Sequence, residues 1–63
     1  MTPADQESHA RESLRMSLSH GWDDAQCKEY AAQCLCGKGM PMADARNVVQ
    51  RVWDEHFRVW GAV

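Results

Sequence analysis

The chain is 63 residues and 7.2 kDa, 44% hydrophobic and 25% charged, with a formal net charge of −2. That length allows one domain at most and excludes Rossmann folds, TIM barrels and two-domain enzymes, because a single βαβ unit already takes roughly 30 residues. An apolar fraction near the globular norm and a small net charge argue against wholesale disorder.

The sequence has no Ile, one Thr, five Val and one Phe, against eight Ala and four each of Gln and Met. Strands favour β-branched and aromatic residues, so the expectation is an all-α, three-helix domain spanning 1–63. The N-terminal residues carry Asp5 and Glu7 and no apolar run of signal-peptide type. A cytoplasmic location follows as an expectation, with the three cysteines, Cys27, Cys34 and Cys36, reduced.

Thr2-Pro3-Ala4-Asp5 has the form of a helix start: Thr2 as N-cap, Pro3 at the first helical position and a carboxylate near the positive end of the dipole. A first helix of about 3–19 follows, its apolar stripe limited to Ala10, Leu14 and Leu18. Gly21 supplies the positive φ that ends it. Asp23 with Gln26 forms a capping-box pattern that opens a second helix of about 24–36, stopped at Gly37. Its apolar arc is Cys27, Tyr30, Ala31, Cys34 and Leu35, mostly small residues that permit close helix approach.

Two glycines and Pro41 then introduce the longest and most strongly patterned helix, about 42–60. Met42, Ala45, Val48, Val49, Val52, Trp53, His56, Phe57, Val59 and Trp60 take one half of its wheel. Asp44, Asn47, Gln50, Arg51, Asp54, Glu55 and Arg58 take the other, and only Arg46 breaks the division. The apolar half is about 180° wide, against the ~100° that a surface helix needs. Two thin neighbouring helices do not obviously cover it, and chains this short are marginally stable alone. The expectation is therefore that helix three dimerises or docks on a partner protein through Val49, Val52, Trp53, His56, Phe57 and Trp60, with the aromatics as buried anchors and the flanking charges as a rim.

Sites for chemistry are sparse. His20 and the cysteines total four possible zinc ligands, but Cys27 and Cys34 stand about 10 Å apart along a helix and Cys34 and Cys36 point to different sides, unlike paired zinc ligands. Core cysteine is the simpler reading, so no metal and no cofactor are expected. Cys36 lies at a helix C-terminus, where the dipole disfavours a thiolate. His20 with Asp23 or Asp24 is a His/carboxylate pair in a loop, but a chain this short has little material for a water-excluding pocket. The chain reads as non-enzymatic, with no small-molecule substrate. Trp53, Phe57 and Trp60 are interfacial residue types, yet the polar face is mixed in sign, unlike a membrane-surface helix.

The functional expectation is a small protein-interaction module, a regulator or inhibitor that acts by occlusion. Proteins of this size and charge include accessory proteins of phages and other mobile elements, an association by size alone. The alternative is a helix-turn-helix-like DNA-binding transcriptional regulator reading bases with Arg46, Asn47, Gln50 and Arg51. Against it stand the long Gly37–Pro41 connection, the acids on the same face and the negative net charge.

Overall fold

Thr2 Oγ1 accepts a hydrogen bond from the Asp5 backbone N–H at 3.2 Å, and Asp5 Oδ2 accepts from the Thr2 N–H at 3.4 Å. This reciprocal pair satisfies two donors that a helix start leaves orphaned, and with Pro3 it launches α1, Pro3–Ser19. The same device recurs one helix later, where Asp23 Oδ1 accepts from Gln26 N at 2.8 Å and Gln26 Oε1 accepts from Asp23 N at 3.4 Å to open α2, Asp24–Gly37. A computed structural model describes residues 2–57; after α2 it places α3, Met42–Val52, and one π-helical turn, Trp53–Phe57. All elements among the described residues are helical, and none of the helices is long and apolar enough to cross a membrane.

Both interhelical breaks use one termination motif. After α1, Gly21 (φ +81) donates to Leu18 O at 3.0 Å and Trp22 to Ser17 O at 3.4 Å. After α2, Gly39 (φ +99) donates to Cys36 O at 2.9 Å and Met40 to Leu35 O at 3.3 Å. Each is a Schellman closure, in which a left-handed glycine lets two amides return to the last carbonyls. The stop of α2 therefore belongs to Gly39 rather than to Gly37, which remains helical and ends the element.

The core is assembled from all three helices: Ala10 and Leu14 of α1, Cys27, Ala31, Ala32 and Leu35 of α2, and Ala45, Val49 and Val52 of α3, closed by Trp53 of the π turn. Alanines and a cysteine bring the axes close, so that few large side chains suffice to fill the space between them. Two sequence expectations shift here. On α1 the third buried position is Ser17, and Leu18 is left 37% exposed. Ser17 can take a core place because its hydroxyl donates to Ser13 O at 2.6 Å and lies 3.3 Å from Leu14 O, so its polarity is satisfied within its own helix. Helix three leaves regular α geometry at Trp53 instead of running unbroken towards residue 60; residues 58–60, with Trp60, lie outside the described residues.

Candidate functional site

The apolar half of α3 is the first place to look for an interaction surface. Its inner residues are already used: Val49 and Val52 are fully buried and Trp53 is 8% exposed. Lys28 Nζ lies 5.1 Å from the centroid of a Trp53 ring, and Phe57 stacks on that indole at 5.5 Å with an interplanar angle of 15°. Ala45, Val49, Val52 and Trp53 of this face are buried in one core with Leu14, Leu35 and the small residues of α2, while Met42, Val48 and Phe57 are partly buried against it. Of the six residues expected to form the ridge, Val49, Val52 and Trp53 face the protein's own core, His56 and Phe57 are half-buried, and Trp60 lies outside the described residues.

The residues of the DNA-reading alternative all sit on the exposed side of α3. Arg46 lies 3.5 Å from both carboxylate oxygens of Glu29, and Arg51 reaches Glu7 at 4.0 Å. Gln50 donates to Asp54 Oδ1 at 3.0 Å and accepts from Lys28 at 3.4 Å. Asn47 lines a broad polar depression of about 490 Å³ with Gln6, Lys38 and Asp44. Both arginines therefore face carboxylates across the surface, which lowers their pull on a phosphate backbone.

Among the described residues, three large hydrophobic side chains are exposed, and one of them, Trp22, stands at the corner between α1 and α2. Trp22 is 42% exposed, Leu18 37% and Met16 49%. The Trp22 indole meets the Tyr30 ring edge-on at 5.4 Å and 85°, and the His20 ring flanks it at 5.9 Å. Its backbone is fixed as well: the Trp22 N–H closes α1, its carbonyl accepts from Cys27 Sγ at 3.6 Å, and the next residue caps α2. A groove of about 320 Å³ runs beside it, lined by Trp22, Gln26, Glu29, Tyr30 and Gln33. Hydrogen bonding to Cys34, one turn along α2, holds the Tyr30 phenol above its ordinary pKa. The sequence signal for this site is a tryptophan directly after a helix-closing glycine, where no helix face claims it.

The possible chemical groups are distributed as follows. Asp23 serves as the N-cap of α2, and His20 lies against Trp22. The cysteines carry no disulfide: Cys27 is buried, while Cys34 and Cys36 are half-buried, with Cys36 Sγ 3.7 Å from Met42 Sδ. A third cluster joins distant parts of the sequence, with His56 Nε2 3.5 Å from Glu7 Oε1 and 3.8 Å from Glu55 Oε2.

Comparisons of the chain with protein-family models, with curated proteins and with solved structures found no match.

Proposed function

We propose that this protein is a small non-enzymatic interaction module that docks on another protein as a regulator or inhibitor, with Trp22 as its anchor. The observation that carries the reading is the presentation of Trp22: a large indole held by Tyr30 and by backbone bonds on both sides, yet left 42% open. Interface energy concentrates in a few aromatic anchors, and a side chain ordered before binding loses little entropy on docking.

The surroundings favour a partner over a second copy. Asp23 and Asp24 follow the indole directly in the chain and are exposed, so a self-contact across this corner would bring like charges together. An apolar socket with a basic rim is the complementary surface. The half-buried end of the α3 face, His56 and Phe57, is a secondary contact in this reading, since Val49, Val52 and Trp53 are spent on the core.

The test is light scattering of the reduced protein followed by co-purification of wild type and Trp22→Ala from the source cells. A monomer that loses one defined protein, basic at its contact surface, on Trp22→Ala supports the reading. A stable dimer, or capture unaffected by Trp22→Ala, overturns it. Capture of DNA that weakens steeply with salt and with Arg46→Ala or Arg51→Ala would instead favour the transcriptional-regulator alternative.

A further inference from the structure

On the basis of Trp22 as the docking anchor proposed above, we infer that the groove beside it receives an arginine side chain from an exposed basic segment of the partner protein. Trp22 and Tyr30 both line the groove, their rings 5.4 Å apart and at 85°, so they make two aromatic walls that meet nearly at a right angle. A cation beside such rings is drawn to their electron-rich faces, and a guanidinium also stacks on them.

The second observation is the charge of the groove. Its other lining residues are Gln26, Glu29 and Gln33, one carboxylate and two amides with no cation among them. From Trp22 to Gln33 the chain carries Asp23, Asp24 and Glu29 against a single base, Lys28. Lys28 is engaged on the α3 side, where its ammonium lies over Trp53 and donates to Gln50. The carboxylates thus set the sign at the groove, and the complementary ligand is positive. Glu29 already receives one guanidinium: Arg46 sits 3.5 Å from both of its oxygens, in the neighbouring depression lined by Ala25 and Val49. Both side chains of that pair are exposed, so it is held weakly, and a carboxylate has lone pairs for more than one donor.

Size and polarity select arginine over an aliphatic anchor. A groove of about 320 Å³ is at the lower end of the ~300–1,000 Å³ of small-molecule pockets and suits one long side chain. An apolar side chain there would strip water from Glu29 and the two amides without replacing their hydrogen bonds, a costly exchange. Arginine lays its apolar stem along the rings and keeps its N–H donors for the carboxylate and amide oxygens. The same pairing of cation and indole exists once within the fold, where Lys28 covers Trp53.

The experiment titrates the ¹⁵N-labelled, reduced full chain, at fixed pH and salt, with an acetylated and amidated glycine pentapeptide that carries one central arginine. Its twin with citrulline, uncharged and of the same shape, is the control. The expected result is a saturable shift of the Trp22 indole N–H and of the Gln33 side-chain amide with the arginine peptide, and none with citrulline. Read at Gln33, affinity should fall about two- to five-fold in Trp22→Ala, as for an exposed cation–π contact, and by a similar factor in Glu29→Gln. Glu12→Gln, which removes an equal charge from α1 outside the groove, should leave it unchanged. Circular dichroism checks that each variant remains helical. An equal response to citrulline, or an equal loss in Glu12→Gln, overturns the inference by reducing the contact to apolar filling or to overall charge. An unmoved Trp22 overturns it as well. A partner that is then still lost on Trp22→Ala recognises the indole through another side chain, whereas capture indifferent to Trp22→Ala ends the docking reading too.

Discussion

Lys28 of α2 covers Trp53, its Nζ 5.1 Å from the ring centroid, while its ammonium also donates to Gln50 Oε1 at 3.4 Å. A cation over an indole is worth about 0.5–1 kcal/mol at such a surface position. Phe57 stacks on the same indole at 5.5 Å, and Trp53 is left only 8% exposed. The residue that most resembled an interface anchor in the sequence is thereby committed to folding.

Trp53→Ala is accordingly expected to unfold the protein. Truncating a buried tryptophan costs about 3–5 kcal/mol, comparable to the whole stability that a domain of this size can hold. Far-UV circular dichroism at 25 °C checks this; a Trp53→Ala variant with wild-type helicity and melting would place the indole outside the core.

Trp22→Ala is expected to behave in the opposite way. Its ring lies at the surface, so helicity should be retained, with a stability change below about 1 kcal/mol measured by urea unfolding, as for substitutions away from a core. Loss of the fold on Trp22→Ala would show that the indole is a structural prop.

Asp23→Ala removes the side-chain half of the α2 cap, and loss of such a cap costs about 1 kcal/mol. Gly21→Ala should cost a similar amount, about 1–2 kcal/mol, for a different reason: a Cβ there meets nothing within 4 Å, so only the left-handed backbone is penalised. Chemical denaturation of the two single variants and the double variant checks both values. A Gly21→Ala change that costs nothing would contradict the Schellman closure of α1.

The starts of α1 and α2 and the end of α1 were legible in the sequence because they rest on local chemistry: Thr2 with Asp5, Asp23 with Gln26, and Gly21 after the first helix. What was not legible depends on groups meeting across the fold. Whether Gly37 or Gly39 takes the left-handed turn depends on where Leu35 and Met40 pack, and both lie against the core. Ser17 displaces Leu18 from the core because its hydroxyl finds partners within α1, a bond that a hydrophobicity pattern does not count. The Trp22 site and the pair of Glu7 and His56 were hidden for the same reason. Glu7 and His56 meet only once α1 lies beside the π turn, and Trp22 belongs to no periodic face.

Hydrogen bonds with Thr2 hold the Asp5 carboxyl below its ordinary pKa of 3.8. A depressed carboxylate pKa means that the folded state favours the charged form, so this contribution is present above the ordinary value and is lost as pH falls through the folded one. Thr2→Ala should bring the Asp5 pKa back towards 3.8. Carboxyl NMR shifts against pH check it, and an Asp5 titration unchanged by Thr2→Ala would contradict the reciprocal cap.

Tyr30 should titrate above 10 because of its hydrogen bond with Cys34 and the repulsion of a Cys34 thiolate. The raised value makes this contribution present below the ordinary phenol pKa and lost as pH rises through the folded one. Phenolate absorbance against pH, in wild type and Cys34→Ala, checks it. The variant should titrate closer to the ordinary value; an unchanged curve would remove Cys34 as the cause.

The central claim is that partner contact is made at the Trp22 corner rather than on the outer side of α3. Its most direct test is site-specific photo-crosslinking in the source cells, with a photoreactive phenylalanine analogue placed in turn at Gln33, which lines the Trp22 groove, and at Asn47, on α3. The account predicts a discrete protein adduct from position 33 and none from position 47. An adduct from position 47 alone, whether to protein or to DNA, would contradict it.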